Sequence, residues 1–444
     1  MSETEKIVTR IAPSPTGQMH IGTVRTALFN YLFAKQHQGS YFVRIEDTDR
    51  DRNKEEWVDA IWEDFTWCNL PPDKKFRQSE HIERHKELLT SLIASDKAYV
   101  SKEPKKDDPT QEVEVVRLKN PGTRVTFTDL IRGPVTFDTT DLGDFIIARS
   151  IDDPLYHFAV VVDDGDAGVT HVLRAEEHIS NTPRQILILE ALGFTRPHYA
   201  HFPLILAPDR SKLSKRKHGA SIESYRTQGF IPEAILNYLA LLGWNPGGEQ
   251  EIFSLEELTT LFSLEKVHKS GAIFDIEKFR WFNQQHIERL QAQEFESRLR
   301  SFIESQGRAI PMHLTLAVAK ELQHRSATLM EAEEHLHGEF SCLGSDFQHP
   351  SVELLLKGAK VEALEAKRHL EHSIKLLGAV TSFTKETVKE SIYSYATAQG
   401  RSAVLWPMRT ALSGMEKSPD PFTLSELLGK DETISRIEVA SRVL

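Results

Sequence analysis

The chain has 444 residues, of which 40% are hydrophobic and 27% charged, values typical of a globular protein with room for two to four domains of roughly 100–200 residues. Its two cysteines, Cys68 and Cys342, exclude a disulfide scaffold and a zinc site built from cysteines, and no apolar run approaches the ~20 residues of a membrane span. A net charge of −11 favours an acidic enzyme of small molecules over a nucleic-acid binder, although a local basic track can still bind a phosphate backbone.

The first predicted element is a strand, which is followed by a turn and then by a helix. Residues 7–11 are rich in β-formers, and the prolines at 13 and 15 together with Gly17 end the strand. After Gly22 the apolar residues recur at helical spacing, so we expect His20 and Gly22 at or just before the helix N-terminus. Free backbone amides and the positive end of the helix dipole favour a polyphosphate there, and Gly22 has no Cβ to block its approach.

A second strand, residues 41–50, ends in carboxylates and is followed by a helix from about Lys54 to Trp67. The order strand, helix, strand, helix predicts an α/β unit with a parallel sheet, in which ligands bind beyond the carboxyl ends of the strands. Arg10, Ser14 and Glu46 fall near such ends.

The α/β pattern is interrupted between residues 97 and 156. Residues 101–109 are charged and typical of a loop. Short strands are then predicted at 123–127, 134–137 and 145–148. Because the α/β pattern resumes afterwards, this segment is interpreted as an insertion domain.

Beyond residue 156 we predict core strands at 160–164 and 169–174 and a helix at 181–192. From Pro232 onward the sequence is almost entirely helical. Amphipathic helices are predicted at 233–242, 255–262 and 276–283. From about Glu296 to the end we predict further helices, separated by Gly, Pro and Ser. The β pattern does not return, so the C-terminal third is expected to be a helical region.

A basic loop, Lys212-Leu213-Ser214-Lys215-Arg216, places three cations around a serine. Alone, it is as typical of a solvated surface loop as of a phosphate-binding loop. His20-Ile21-Gly22 is also a weak signal alone, since a turn histidine ahead of a core helix would give the same pattern. Ser14 lacks a Gly-x-Ser-x-Gly context, so we reject a serine nucleophile.

Taken together and in this order, the two motifs resemble the two signatures of class I aminoacyl-tRNA synthetases. Residues 10–17 with 20–23 are similar to bacterial-type glutamyl-tRNA synthetases in particular. Further stretches that resemble this family are 46–50, 156–159, 174–178, 181–185, 229–239, 242–244, 269–275 and 403–412. The resemblance implies an α/β fold with a Rossmann-like parallel sheet and an α+β insertion domain, followed by an all-α C-terminal region that binds the anticodon.

The resemblance also implies a domain organisation. Residues 1–96 and 157–208 are expected to be the two halves of a Rossmann-like catalytic domain, and residues 97–156 the insertion domain that meets the tRNA acceptor end. Residues 209–295 would form the stem-contact domain with the lysine-serine-lysine loop, and residues 296–444 the helical anticodon-binding domain.

The family's functional residues can be carried over to matching positions of this sequence. The resemblance implies catalytic roles for His20, Gly22, Lys212 and Lys215. It implies ATP contacts from His20, Gly22, Glu177, Ile205, Lys212, Ser214, Lys215 and Arg216. It implies glutamate contacts from Arg10, Ala12, Ser14, Glu46, Tyr156 and Arg174. Arg10 and Arg174 would bind the side-chain carboxylate in a bidentate way that glutamine cannot satisfy, and Glu46 would hold the α-amino group.

The resemblance implies ATP with Mg²⁺, L-glutamate and tRNA-Glu as partners, with tRNA-Gln left open. Many bacterial members carry zinc-binding cysteines just after the position of Tyr99, but Val100-Ser101-Lys102 contains none, so we expect no zinc and assign no metal ligand. We expect a cytoplasmic monomer without a membrane partner, and no signal or transit peptide ahead of the first motif.

Three alternatives remain at this stage. A related enzyme that glutamylates a modified base in tRNA is shorter and lacks an anticodon domain, so the region after Glu296 speaks against it. A misacylating paralogue specific for tRNA-Gln stays open, because one sequence does not locate the residues that read the anticodon. A tRNA-binding paralogue without catalysis would be expected to lose one of the signatures at His20 and Lys215, and both are intact.

Overall fold

The computed structural model describes residues 6–48, 52–105, 108–213, 219–345 and 347–444. The chain divides into two units, the first comprising Met1–Arg226 with Phe230–Asn283 and the second Thr227–Gly229 with Gln284–Leu444. Among the described residues, every strand belongs to the first unit. No helix in these ranges is both long and apolar enough to cross a membrane.

The first unit begins with three parallel strands joined by helices. In chain order these elements are β1 (Val8–Ile11), α1 (Ile21–Gln36), β2 (Ser40–Ile45), α2 (Glu55–Trp67), β3 (Lys74–Arg77) and α3 (Ile82–Ala94). The strands lie side by side in the order β1-β2-β3. The predicted alternation of strands and helices is therefore confirmed, and the carboxyl ends of β1 and β2 lie at one edge of the sheet.

The segment predicted as an insertion contains six strands, which belong to two different sheets. Its elements are β4 (Ala98–Lys105), β5 (Asp108–Leu118), β6 (Arg124–Asp129), β7 (Gly133–Asp138), β8 (Phe145–Ser150) and β9 (Asp153–Pro154). Strands β4, β5, β8 and β9 form an antiparallel sheet of their own. The β6–β7 hairpin instead extends a parallel pair, β10 (His171–Ala175) and β11 (His198–Phe202), with Asp129 of β6 paired opposite Tyr199 of β11.

Two sequence-based predictions in this unit are wrong. Residues 101–109 were expected to form a loop, but most belong to β4 and β5, where Lys102 lies opposite Glu114. Opposite charges across an antiparallel pair stabilise a solvated sheet face, so charge alone does not indicate a loop there. Residues 160–164 were expected to form a core strand but lie in the helix α4 (Tyr156–Asp166). A short and fully buried apolar run fits a buried helix as well as a strand.

The remaining elements of the first unit are helices and two very short strands. They are α5 (Thr182–Leu192), β12 (Ile205–Leu206), α6 (Ile222–Thr227), α7 (Pro232–Leu241), α8 (Leu255–Leu261), β13 (Ala272–Ile273) and α9 (Ile276–Arg289), the last of which continues past Asn283. The prediction of an almost entirely helical chain after Pro232 is confirmed, with β13 as its exception. The two-residue strand β13 pairs in parallel with β12.

The described residues of the second unit are helical, as predicted for the C-terminal third. Its helices are α10 (Ala292–Ser305), α11 (Leu316–Gln323), α12 (Leu329–His337), α13 (Val352–Lys357), α14 (Ala363–Gly378), α15 (Lys385–Gln399), α16 (Arg401–Ser413), α17 (Pro421–Leu428) and α18 (Lys430–Val443). Apolar side chains from α13 to α18 form one buried cluster. Burial of these amphipathic faces against one another stabilises the helices.

Candidate active site

A cavity of about 520 Å³ lies in the first unit, where β1, β2 and β10 end and α1 begins. Every predicted site residue within the described ranges lines it. These residues are Arg10, Ala12, Ser14, His20, Gly22, Glu46, Tyr156, Arg174, Glu177, Ile205 and Lys212. The other three predicted site residues, Ser214, Lys215 and Arg216, lie outside the described residues.

The N-terminus of α1 forms one side of the cavity. His20 is the N-cap residue, and its Nδ1 accepts a hydrogen bond from the backbone N–H of Gly22 at 2.9 Å. A Cβ at position 22 would lie only 3.0 Å from that Nδ1 and would crowd the His20 ring, so glycine favours this close approach. The first turn of α1 carries no acidic side chain, which leaves the positive end of the helix dipole available to an anion.

Beside the ends of β1 and β2, charged side chains form a buried network. Asp164 on α4 lies 3.1 Å from Nε of Arg10 and 2.5 Å from Nη1 of Arg44. Nη2 of Arg44 donates to Oε1 of Glu46 at 3.1 Å. Burial raises the pKa of Glu46, and the Arg44 guanidinium opposes that rise. Glu46 is therefore a buried carboxylate on the cavity wall that would be stabilised by a cationic ligand.

Sequence reasoning did not identify Arg44 or Asp164. The sequence does contain signs of their role. Arg44 lies within a run of apolar strand residues, and Asp164 is one of two adjacent aspartates that follow a run of apolar residues; both side chains are buried. Buried charges need partners, so each indicates an ion pair. The partners themselves come from distant parts of the chain and could not be assigned.

Arg174, at the end of β10, has a different environment from that of Arg10. Its guanidinium donates to Oε1 of Gln185 at 2.7 Å, to Oγ1 of Thr182 at 2.9 Å and to Nε2 of His201 at 3.2 Å. Among the described residues no carboxylate forms an ion pair with it, and burial lowers its pKa. Arg174 is thus a buried cation that lines the cavity, and a carboxylate ligand would supply the missing counter-charge.

His178 and Tyr156 lie next to Arg174 on the cavity wall. The Tyr156 hydroxyl lies 3.4 Å from Nδ1 of His178. Burial, together with the charge of Arg174, lowers the pKa of His178 to about 4. At neutral pH His178 therefore offers a hydrogen bond and no charge, and sequence reasoning did not single it out.

A third buried arginine, Arg25 on α1, also lines the cavity and was not predicted. It donates to the backbone carbonyls of Leu242 at 3.0 Å and of Pro203. Burial lowers its pKa to about 10, so it stays charged at neutral pH. Arg25 therefore ties α1 to the chain that enters β12, where Ile205 lines the cavity.

On the exposed rim of the cavity, Lys212 forms an ion pair with Glu177. Ile205 in β12 also lines the cavity, and its carbonyl accepts the N–H of Leu213 at 3.1 Å. The start of the basic loop is thus held against the cavity by one backbone bond and one ion pair.

Comparison with known proteins gives matches over nearly the whole chain. The family described as tRNA synthetases class I (E and Q), catalytic domain, matches residues 6–108 and 101–281, and the anticodon binding domain family matches residues 278–441. The glutamate–tRNA ligase 1 of Syntrophus aciditrophicus is 36% identical over 99% of this chain and 98% of its own length. The glutamate–tRNA ligase of Lawsonia intracellularis is 37% identical over 98% of each chain.

Among solved structures, one similar fold is the crystal structure of a glutamate tRNA ligase from Elizabethkingia meningosepticum in complex with its amino acid. It has a TM-score of 0.85 and 30% sequence identity, and covers 99% of this chain and 100% of that chain.

Proposed function

The chain belongs to the glutamate–tRNA ligases, class I aminoacyl-tRNA synthetases that join glutamate to tRNA, and we propose how the residues of its cavity divide that reaction between them. ATP and L-glutamate give glutamyl-adenylate and pyrophosphate in the first step. In the second step a terminal ribose hydroxyl of tRNA-Glu takes the glutamyl group and AMP leaves. The match of residues 278–441 to an anticodon binding domain supports tRNA as the acceptor.

Glutamate is bound between two arginines and one carboxylate. The side-chain carboxylate lies against Arg174 and Arg10, the α-ammonium faces Glu46, and Tyr156 donates a hydrogen bond to the bound amino acid. Ala12 and Ser14 line the same wall. The observation that carries this proposal is the buried guanidinium of Arg174, whose protein partners are all neutral. Glutamine would leave that charge without a counter-ion, so the arrangement favours glutamate.

ATP lies against the N-terminus of α1, with its phosphates near His20 and Gly22. Glu177 and the backbone near Ile205 contact the nucleoside end, and Lys212, Ser214, Lys215 and Arg216 act on the phosphates. The α-carboxylate of glutamate attacks the α-phosphorus and pyrophosphate leaves, so negative charge builds on the phosphates. Fixed cations and the helix dipole stabilise that charge, and no enzyme nucleophile is needed. Mg²⁺ enters with ATP, held mostly by phosphate oxygens and water.

The alternatives gain no support from these findings. A tRNA-modifying relative without an anticodon domain does not fit the match of residues 278–441. Glutamate–tRNA ligases match over at least 97% of this chain, and the predicted site residues within the described ranges line one cavity. Both cysteines are free and buried, in agreement with our assignment of the enzyme to the reducing cytoplasm.

The raised pKa of Glu46 predicts a pH dependence. As the pH falls from neutrality, Glu46 takes up a proton before an exposed glutamate would, and its protonated form has no charge to offer the α-ammonium. The KM for glutamate should therefore rise as the pH falls, whereas Glu46→Gln should show a high KM that no longer depends on pH in this range. Pyrophosphate exchange in the presence of tRNA-Glu, measured over a range of pH, gives the KM for glutamate of the wild type and of Glu46→Gln.

Glu63→Gln is a matched control for that experiment, because Glu63 is an exposed carboxylate that pairs with Arg226 at the surface. It should keep the wild-type KM and pH profile. A pH profile of Glu46→Gln that parallels the wild type would show that Glu46 does not hold the amino group.

Glutamate charging of tRNA-Glu and tRNA-Gln, measured side by side with ATP and Mg²⁺, tests the acceptor. Charging of tRNA-Glu is the expected result, and charging of tRNA-Gln as well would make the enzyme part of an indirect route to glutaminyl-tRNA. Charging of tRNA-Gln alone would overturn the assignment of tRNA-Glu as its substrate.

A further inference from the structure

A fully buried chain of side chains leads from the β6–β7 hairpin to Arg174. Oδ2 of Asp129, at the end of β6, lies 2.6 Å from Nδ1 of His201 on β11. On the other side of the ring, Nε2 of His201 accepts the hydrogen bond that Nε of Arg174 donates at 3.2 Å. Neither Asp129 nor His201 lines the cavity, so any influence on a ligand has to pass through Arg174.

The protonation of His201 is set by its two neighbours. Burial lowers its pKa, the hydrogen bond to Asp129 acts to raise it, and the charge of Arg174 lowers it further; the pKa is lowered on balance, so the ring is neutral and carries one proton. Asp129 is acceptor-only when ionised; burial acts to raise its pKa, but hydrogen bonds from His201 and from two backbone N–H groups lower it on balance. The ring proton therefore sits on Nδ1, and Nε2 presents its lone pair to Arg174, with Oγ1 of Thr182 3.2 Å away.

We propose that Asp129 and His201 are positioning residues for amino-acid binding, in which the carboxylate fixes the tautomer of His201 and the ring nitrogen then holds the guanidinium of Arg174 at the cavity wall. This inference rests on the proposed role of Arg174 in binding the side-chain carboxylate of glutamate. It also gives the β6–β7 hairpin a part in the glutamate site, since its Asp129 completes the support of Arg174.

The surroundings of Asp129 make one substitution especially informative. Oδ1 of Asp129 accepts the backbone N–H groups of Ile131 and Arg132, both at 2.9 Å. In Asp129→Asn the amide oxygen keeps these two bonds, so the amide NH₂ takes the place of Oδ2 and faces Nδ1 of His201. His201 must then carry its proton on Nε2. The Nε2–H of His201 would face the Nε–H of Arg174, and the hydrogen bond between them would be lost.

The experiment compares the KM for glutamate with the KM for ATP in pyrophosphate exchange with tRNA-Glu present. Asp129→Asn should raise the KM for glutamate about 10–100-fold, the loss known for residues that orient metal ligands through a hydrogen bond, and leave the KM for ATP unchanged. His201→Gln, whose amide oxygen can still accept from Arg174, should stay near wild type, and His201→Phe, which offers no acceptor, should behave like Asp129→Asn. Asp138→Asn is the matched control, because Asp138 ends β7 of the same hairpin and bonds only within its own exposed turn and to Arg124.

A ¹⁵N spectrum of histidine-labelled protein gives a readout that a general structural defect would not produce. The signal that disappears in His201→Gln should report an Nδ1–H tautomer in the wild type and an Nε2–H tautomer in Asp129→Asn. The proposal is overturned if Asp129→Asn leaves the KM for glutamate unchanged, if it raises the KM for ATP equally, or if His201→Gln and His201→Phe are equally impaired. A wild-type enzyme that shows no glutamate-dependent exchange would instead contradict the proposed function.

Discussion

Replacing Asp164 with asparagine should lower the free energy of unfolding of the first unit by about 3–5 kcal/mol, the usual cost of removing one partner from a buried ion pair. Asp164 is the shared acceptor of Arg10 and Arg44, and all three side chains are almost completely buried. Without the carboxylate, two guanidinium groups are left in a low-dielectric interior with less counter-charge than they need. Urea unfolding monitored by tryptophan fluorescence measures the decrease in the free energy of unfolding.

Asp166→Asn is the matched control, since Asp166 lies at the end of the same helix but pairs with Arg84 at the surface. An exposed pair contributes only about 0–1 kcal/mol, so this variant should unfold nearly as the wild type does. Equal stability losses in the two variants would refute the account of the buried network.

The stability lost in Asp164→Asn should depend on pH. Burial acts to raise the pKa of Asp164, but Arg10 and Arg44 lower it on balance below its unfolded value of about 3.9. The stabilisation from its ionised form is therefore fully present above the unfolded pKa and is lost as the pH falls through the folded pKa. The difference in unfolding free energy between wild type and Asp164→Asn should accordingly shrink in strongly acidic solution.

Lys215→Ala should reduce the rate of glutamate activation about 10²–10³-fold, or about 2.7–4 kcal/mol of barrier, while leaving the fold intact. In the described part of the basic loop, Lys212 is already paired with Glu177. We therefore assign the charge that acts on the leaving pyrophosphate chiefly to Lys215, as the resemblance of residues 212–216 implies. Pyrophosphate exchange at saturating ATP and glutamate, with tRNA-Glu present, isolates this step.

Lys86→Ala serves as the control for that measurement, because Lys86 lies on the surface of α3 and pairs with Glu83 and Asp152. It removes one positive charge from the protein without touching the cavity and should keep the wild-type rate. Undiminished exchange in Lys215→Ala would remove Lys215 from the proposed mechanism.

Much of the site's location followed from local sequence patterns. In a parallel α/β sheet the strand ends meet at one edge, so Arg10 and Glu46 could be placed together from the strand and helix periodicities alone. His20 could be placed at a helix N-terminus because the spacing of apolar residues changes just after it. Arg174 was assigned by resemblance, and it lines the same cavity.

The partners of these residues could not be predicted, since they are contacts between distant segments. Asp164 lies 154 residues from Arg10 and 120 from Arg44 in the chain. No periodicity links such positions, and the valine run before Asp163 and Asp164 suggested a strand where the chain forms α4. Asp129 and His201, 72 residues apart, meet only because β6 pairs with β11.

In the proposed mechanism, the cavity at the start of α1 selects glutamate, and the enzyme joins it to tRNA. The most direct test is aminoacylation of purified tRNA-Glu with radiolabelled glutamate or glutamine, ATP and Mg²⁺, by the wild-type chain. We predict charging with glutamate and none above background with glutamine, because only glutamate supplies a carboxylate to Arg174. Charging with glutamine, or no charging with either amino acid by a folded protein, would contradict the account.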